Sequence, residues 1–196
     1  MTDNLIFPDD SRPTRSDAVK NHALLLETAQ HLFDQQGLDN VSMSAIAEAA
    51  GVGKGTLYRH FKNKADLAHA LLDQEMYDLQ DRSLRRFHNQ GDPLDDLRWF
   101  LEQILRFVDR NQALLCIAAE HDLTALLDSP AHRWWRQTIH ALLSRIPAVR
   151  DVDYMTDVLY VMVDVRTIFF QKATLGYDTP RILDGLQTTL TQLTAS

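Results

Sequence analysis

The stretch SMSAIAEAAGVGKGTLYRHFKNK, residues 42–64, decides the fold of this chain. It predicts two short helices that are joined by the tripeptide Gly51-Val52-Gly53. Ser42 is a suitable N-cap for the first helix, and Gly51 supplies the positive φ that a tight turn requires. Small alanines on the first helix allow the second helix to cross it closely. The stretch therefore has the pattern of a helix-turn-helix, a motif that places its second helix in the major groove of DNA.

The charge of this stretch is opposite to the charge of the rest of the chain. Residues 42–64 hold four Lys and Arg side chains and one Glu, whereas residues 71–196 hold 13 Lys and Arg against 18 Asp and Glu. The formal net charge of −7 argues against indiscriminate coating of nucleic acid. A small basic segment on an acidic body is instead typical of a protein that binds specific DNA sites.

Helical periodicity extends over most of the chain on both sides of this stretch. Apolar side chains recur every three or four positions from Asp17 onward, and Gly37 ends that segment. Six further segments with the same period lie at residues 64–89, 94–110, 113–127, 131–146, 151–175 and 179–193. The sequence therefore predicts an all-α fold with about nine helices, and no segment favours a β-strand.

The helices group into two domains behind an N-terminal arm. Residues 1–17 contain Pro8, Ser11, Pro13 and Ser16 without any periodicity, which predicts a flexible arm. We expect a three-helix DNA-binding domain at residues 18–64 and a second, helical domain at residues 65–196.

Length and composition exclude several classes of protein. The 196 residues are 45% hydrophobic and 24% charged, which excludes a disordered or collagen-like chain and suffices to bury a core. No run approaches the roughly 18 apolar residues of a membrane span, and residues 1–10 lack the apolar region of a secretory signal. The single cysteine, Cys116, cannot form an internal disulfide. We therefore expect a cytoplasmic protein with no membrane partner.

The helix-turn-helix and the helix before it resemble the TetR (tetracycline-repressor) family. The resemblance rests on Leu32-Phe33, Gly37, Val41-Ser42 and, most specifically, on IAEAAGVGKGTLYRHFKNK at residues 46–64. It covers about the first third of the chain. It implies a homodimeric transcription factor that binds a double-stranded DNA operator and responds to a small-molecule effector. A repressor is the usual case in this family, and an activator of the same fold stays open.

The resemblance also implies roles for single residues. Four side chains match the phosphate-contacting residues of the family, namely Thr56, Tyr58, His60 and Lys64. Base contacts and register are implied for Lys54, Gly55 and Arg59, and backbone contacts for Ser42 and Ser44. One departure is Gly53, which stands where the family often has serine as the cap of the recognition helix. Together with Gly55 it predicts a recognition helix that is loose without DNA.

The second domain concentrates aromatic and soft side chains that could line an effector pocket. The candidates are Phe100, Gln103, Phe107, His121, Trp134, Met155 and Asp164. Stripes of this kind are more often plain core, so each residue taken alone favours packing over ligand contact. A pocket with this lining predicts an effector that is mainly apolar, with room for one polar or cationic group.

Two polar features of this domain have alternative interpretations. Asp164 lies in an apolar segment, where a carboxylate without a partner is costly. We expect it to pair with Arg166 across a dimer, to pair with another arginine, or to receive a cationic or hydrogen-bonding ligand. The tripeptide Glu120-His121-Asp122 suggests a metal, but no second spaced His or Cys completes a ligand set, so we expect no metal and no other cofactor.

The last two predicted helices, at residues 151–175 and 179–193, have large apolar faces. Two such helices from each of two copies can form a four-helix interface, and a helix-turn-helix protein that binds symmetric half-sites needs a dimer. The helix at residues 64–89 connects the two domains. We expect its tilt to carry the effector signal to the DNA-binding helices.

Other classes of function have weaker support. No nucleophile motif and no His-Glu-x-x-His motif occurs in the sequence, so an enzyme is not expected. The segment Gly53-Lys54-Gly55-Thr56 faintly resembles a phosphate-binding P-loop, but it lacks adjacent Gly-Lys-Ser/Thr and follows a helix instead of a strand. A helical interaction protein without DNA binding remains an alternative, but it would leave the basic helix unexplained.

Overall fold

The computed structural model of the chain describes residues 15–89, 91–119 and 130–194. Within these ranges it contains ten α-helices, one short 3₁₀ helix and no strand. The prediction of an all-α fold is therefore confirmed. The chain divides into two compact units, Met1–Leu67 and Ala68–Ser196.

The N-terminal unit has helices that begin and end close to the predicted positions. They are α1 (Arg15–Gln36), the 3₁₀ helix (Leu38–Asn40), α2 (Met43–Ala49) and α3 (Lys54–His60). Gly37 ends α1 with a φ of 80°, a conformation that carries no steric penalty for glycine. Helix α1 packs on α2, and α2 packs on α3. The buried side chains that hold them together include Leu25, Ala29, Ile46, Leu57 and Phe61.

Helix α4 (Lys64–His88) begins in the N-terminal unit and continues in the C-terminal one. The side chain of Asn63 accepts a hydrogen bond from the backbone N–H of Asp66 at 2.7 Å. The carboxylate of Asp66 accepts in return from the backbone N–H of Lys62 at 2.9 Å. This is the reciprocal capping that the sequence predicts here, and it satisfies N–H groups that have no partner within the helix.

The C-terminal unit is built around α5. Its helices after α4 are α5 (Pro93–Arg110), α6 (Gln112–Ala119), α7 (Pro130–Leu143), α8 (Val152–Met162), α9 (Val165–Ala173) and α10 (Thr179–Thr194). Helix α5 contacts α6, α7, α9 and α10, and α7 also packs closely on α8. The buried face of α5 repeats every three or four residues and includes Leu97, Phe100, Leu101, Ile104, Leu105 and Val108.

The prediction of one long helix at residues 151–175 is wrong, because two helices, α8 and α9, lie there. Asp164 separates them, with φ −61° and ψ 138°. Its carboxylate accepts a hydrogen bond from the backbone N–H of Arg166 at 3.0 Å and so caps α9. Aspartate competes in this way with continuation of a helix, and apolar periodicity does not reveal the competition.

Three predictions extend beyond the residues that the structure describes. The flexible arm is predicted at residues 1–17, but residues 15–17 belong to α1, which begins at Arg15, so the prediction is wrong there, and residues 1–14 lie outside the described part of the chain. The last part of the helix predicted at 113–127 falls on residues 120–127, and the tripeptide that suggested a metal falls on residues 120–122. In the ranges that are described, no helix is both long enough and apolar enough to cross a membrane.

Candidate nucleic-acid interface

Helices α2 and α3 are joined by a turn whose geometry matches the helix-turn-helix pattern. The Oγ of Ser42 accepts a hydrogen bond from the backbone N–H of Ala45 at 3.1 Å, which caps α2. Gly51 has a φ of 66°, as the sequence predicts for the turn. The backbone N–H of Val52 then donates to the carbonyl of Ala47 at 3.0 Å. These contacts hold the start of α3 against the end of α2.

Helix α3 has one buried side and one exposed side. Leu57 is fully buried, and Phe61 just after the helix is buried as well. The other side consists of the exposed residues Lys54, Gly55, Tyr58 and Arg59, flanked by the half-buried residues Thr56 and His60. The side chain of Tyr58 is a large aromatic that remains 48% exposed. Four of the residues implied for DNA contact, Lys54, Gly55, Tyr58 and Arg59, therefore share the surface that faces away from the core of the unit, and Thr56 and His60 lie at its edge.

The basic side chains on this surface are not neutralised by acids. No residue in the described ranges forms an ion pair with Lys54, Arg59 or Lys62. Their charges are therefore available to an external anion, and the phosphate backbone of DNA is the anion that this arrangement suits.

Lys64 has a structural partner that the sequence did not indicate. Its Nζ donates a hydrogen bond to the backbone carbonyl of Leu38 at 2.8 Å, and the residue is half-buried. An ammonium group has three donors, so this bond leaves two of them for a phosphate oxygen. The contact fixes the position of the charge relative to the 3₁₀ helix after α1.

His60 lies in a small aromatic cluster between α1 and α3. Its ring centroid is 5.7 Å from that of His22, and the ring of His22 is 4.9 Å from that of Phe61. Burial lowers the pKa of His60, and the nearby His22 and Arg59 lower it further. The Nε2 atom is buried and has no hydrogen-bond partner among the residues that the structure describes, so only Nδ1 is left to contact a phosphate. Sequence reasoning missed His22, because its proximity to His60 depends on how α1 packs.

The supporting residues of α2 differ in their exposure. Ser42 is exposed and Ser44 is half-buried, and both lie in the first turn of the helix or just before it. Backbone N–H groups at this end of a helix favour an anion. Ser42 already uses its oxygen as the cap, which leaves its hydroxyl hydrogen as a donor.

The candidate effector residues of the C-terminal unit are only partly close to one another. Phe100 is fully buried and meets the ring of Trp134 edge-on at 5.3 Å. Phe107 is buried too, and Met155 is half-buried. The side chain of Gln103 accepts a hydrogen bond from Arg82 at 3.2 Å. His121 lies outside the described residues.

Asp164 has its partner within the same chain. The carboxylate is buried and accepts from the Nε of Arg166 at 3.0 Å, in addition to the backbone N–H of that residue. The alternative of pairing across a dimer is therefore not needed to satisfy the charge. The two hydrogen bonds from Arg166 explain how a carboxylate is tolerated in an apolar segment.

A second polar group of the C-terminal unit was missed from the sequence. The Nδ1 of His132 and the hydroxyl of Tyr160 are 2.6 Å apart, and the rings of His132 and Trp135 are 5.0 Å apart. The spacing of His132 and Trp135, three positions on one helix, is the only signal in the sequence that could have indicated this group.

An open cleft of about 510 Å³ lies on the surface of the same unit. Its lining is charged and consists of Glu75, Asp78, Asp81, Arg82, Arg85 and Arg110. A lining of this kind suits water and ions and does not fit the mainly apolar effector that the sequence predicts.

Comparison with known sequences supports a helix-turn-helix in the N-terminal unit. The family model described as "Bacterial regulatory proteins, tetR family" matches residues 25–71, which include α2 and α3. An HTH-type transcriptional regulator of Staphylococcus aureus strain USA300 is 37% identical over 110 residues. That alignment covers 54% of this chain and 57% of the relative, so the chain spans little more than half the length of the curated relative.

Comparison with solved structures extends the similarity of fold to the C-terminal unit. A TetR-family transcriptional regulator of Pectobacterium atrosepticum has a TM-score of 0.67 and 21% identity, and the alignment covers 92% of this chain and 95% of that one. Thermus thermophilus FadR, a TetR-family repressor in complex with lauroyl-CoA, has a TM-score of 0.62 and 19% identity, with coverage of 89% and 95%. At such identities the similarity is one of fold.

Proposed function

We infer that this protein, which belongs to the TetR family of bacterial regulatory proteins through its helix-turn-helix domain, is a transcriptional regulator that binds a specific DNA operator. We assign it no catalytic activity. The observation that carries the proposal is the exposed surface of α3, where Lys54 and Arg59 have no acidic partner among the described residues. Binding to DNA would place the protein in the cytoplasm.

The first experiment tests sequence-specific binding. Fluorescence anisotropy compares a duplex from upstream of the protein's own gene with a scrambled duplex at several salt concentrations. We expect tighter binding to the upstream duplex and a salt-dependent affinity. Arg59→Ala and Lys54→Ala should reduce the preference, with a loss of roughly 1–3 kcal/mol for each good bidentate base contact. If the wild type binds both duplexes with the same weak affinity at low salt, a helical interaction protein without specific DNA binding is favoured instead.

A second set of variants separates phosphate contacts from base contacts. Tyr58→Phe and Lys64→Met should weaken binding to both duplexes alike, because phosphates carry no sequence information. Lys64→Met should also reduce the salt slope by about 1. Because Lys64 supports the carbonyl of Leu38, its variant needs an unfolding measurement as a control.

Regulation by a dimer follows from the same proposal. Exposed apolar side chains remain on α8 and α9, including Val161 and Phe170. We propose that these helices and α10 form the interface between two copies. The half-sites of the operator should then lie about one DNA turn, or a multiple of it, apart.

The direction of regulation is proposed to be repression. Deleting the gene should raise transcription from the promoter that contains the operator. A fall in transcription from that promoter would instead identify an activator of the same fold.

Release by a small molecule is the last part of the proposal. FadR of Thermus thermophilus binds lauroyl-CoA, whose acyl chain is apolar and whose coenzyme A group is polar and charged. The acyl chain supports an apolar part of the effector here, and the aromatic side chains of the C-terminal unit support an effector that is mainly apolar. We propose that effector binding in the C-terminal unit changes the tilt of α4. Effector and operator must then weaken each other by the same factor. Equal effector affinity with and without operator would remove this coupling.

A further inference from the structure

The C-terminal unit contains a buried polar donor that has no acceptor among the described residues. Trp135, on α7, is only 1% exposed, and its indole Nε1 makes no hydrogen bond within residues 15–89, 91–119 and 130–194. A buried indole N–H normally has a partner, because losing water without replacement raises the free energy of the folded state. A donor left without an acceptor is a place where an oxygen atom from outside the chain would be bound favourably.

The surroundings of Trp135 are aromatic. The ring of Phe107, on α5, meets the indole edge-on at 5.9 Å. The ring of His132 lies 5.0 Å away on the same helix as Trp135. An apolar or aromatic body could therefore pack beside the indole while one acceptor atom reaches Nε1.

The polar groups near Trp135 carry little free charge. His132 is bonded to the hydroxyl of Tyr160 at 2.6 Å, and burial lowers the pKa of His132 while it raises the pKa of Tyr160. Both groups are therefore neutral at pH 7. Asp164 and Arg166, whose charges act on both, already form an ion pair with each other. In the described part of the chain, no unpaired charge is left in this group to compensate a buried carboxylate or ammonium of a ligand.

We propose that the indole N–H of Trp135 binds the oxygen acceptor of an uncharged, largely apolar effector within the core around α5, α7 and α8. This rests on the proposed function, because it names the class of ligand and the anchoring group for the same release step. The ligand packs against the aromatic cluster and so needs a rearrangement of that cluster. It therefore binds the rearranged state more tightly, which is the condition for shifting the protein away from DNA.

The test uses the full chain labelled with ¹⁵N-tryptophan and three probes. Acetophenone has an aromatic ring and a carbonyl acceptor, ethylbenzene has the same shape without an acceptor, and benzoate carries a charge. The chain has three tryptophans and so three indole N–H signals, and Trp135→Phe identifies one of them by its loss. The matched control is Trp99→Phe, on α5, whose ring contacts Phe87 and Arg86.

We expect acetophenone to shift the Trp135 signal in a saturable way, with benzoate and ethylbenzene binding more weakly. Trp135→Phe should weaken acetophenone about three- to tenfold, the range of one hydrogen bond, and leave ethylbenzene unchanged. Trp99→Phe should keep the preference for acetophenone over ethylbenzene. If Trp135→Phe does not fold, the affinities of the three probes for the wild type test the proposal, which requires acetophenone to bind more tightly than ethylbenzene and benzoate.

Two results would overturn the proposal. One is a Trp135 signal that acetophenone does not move up to its solubility limit. The other is a Trp135→Phe variant that binds acetophenone and ethylbenzene with equally reduced affinity, since that would assign a packing role to the indole.

Operator anisotropy in the same samples separates this proposal from the broader one. If acetophenone binds at Trp135 and operator affinity does not fall, the binding site is supported and the proposal of release by a ligand is contradicted. If a compound releases the operator and the Trp135 signal does not move, release by a ligand is supported and the binding site at Trp135 is contradicted.

Discussion

At the scale of single residues, Gly55 shows a conflict between stability and proposed function. It lies in the first turn of α3, and a Cβ placed there would meet no atom within 4 Å. The fold itself therefore has no steric need for glycine at this position. The flexibility that glycine adds is explained by a surface that something else must approach closely, and DNA is the proposed partner.

We predict that Gly55→Ala stabilises the protein and weakens operator binding. The free energy of unfolding should rise by up to about 1 kcal/mol, because alanine is the better helix former. Operator affinity should fall, because the new methyl group faces the DNA. Urea unfolding and fluorescence anisotropy on the same preparation measure the two effects. A variant that is more stable and also binds the operator more tightly would contradict close approach at Gly55.

At the scale of the elements, the break between α8 and α9 depends on one side chain. Asp164 is buried, caps α9 and pairs with Arg166, whereas Asp151 caps α8 from an exposed position. The N–H of Tyr154 donates to Asp151 at 3.1 Å, so the two aspartates perform the same capping role. They therefore form a matched pair that differs in burial.

We predict that Asp164→Ala destabilises the protein more than Asp151→Ala. Losing an exposed cap costs about 1 kcal/mol. Losing Asp164 should cost more, roughly 2 kcal/mol, because its carboxylate is buried and accepts from the guanidinium of Arg166 as well as from the backbone N–H. Urea unfolding of both variants gives the comparison. Equal losses would mean that the ion pair with Arg166 adds nothing to the cap.

The contact between α7 and α8 should make stability depend on pH. Burial lowers the pKa of His132 below its unfolded value of about 6.5, with Arg166 acting in the same direction and Asp164 opposing. The unfolded chain therefore binds more protons in this window. Stability is fully present above about pH 6.5 and falls as the pH drops toward the folded pKa.

We predict that His132→Gln flattens this pH dependence. Urea unfolding of wild type and variant at several values between pH 5 and pH 7.5 measures the slope. The slope is compared and not the absolute stability, because the variant also loses the contact with Tyr160. Parallel slopes would show that His132 does not change its protonation on unfolding in this range.

At the scale of the whole molecule, the proposed dimer interface can be tested at exposed apolar side chains. Phe170 on α9 is 53% exposed, and Tyr77 on α4 is 71% exposed. Both are large apolar side chains on the surface of one chain, but only Phe170 belongs to the helices of the proposed interface. The comparison of the two therefore separates assembly from the general effect of a charge on an apolar surface.

We predict that Phe170→Glu gives folded monomers, while Tyr77→Glu remains dimeric. Operator affinity of the monomer should fall about a hundredfold or more, because the second half-site is no longer linked to the first. Sedimentation velocity and operator anisotropy measure the two quantities, and circular dichroism checks the fold. If the wild type sediments as a monomer at micromolar concentration, the proposed interface is wrong.

Local features of this chain followed from its sequence. The end of α1 at Gly37, the cap at Ser42, the positive φ at Gly51 and the reciprocal capping around Asn63 and Asp66 depend on residues within four positions of one another. Short-range sterics and hydrogen bonding determine such features wherever the segment lies in the fold. The same holds for the basic surface of α3, because helical period alone separates it from the buried Leu57.

Tertiary packing decided the contacts between distant segments. Lys64 and the carbonyl of Leu38 are 26 positions apart, and His132 and Tyr160 are 28 positions apart. Whether such groups meet depends on how helices cross, which apolar periodicity does not specify. The missing acceptor of Trp135 is of this kind too, because a donor lacks a partner only in relation to everything packed around it.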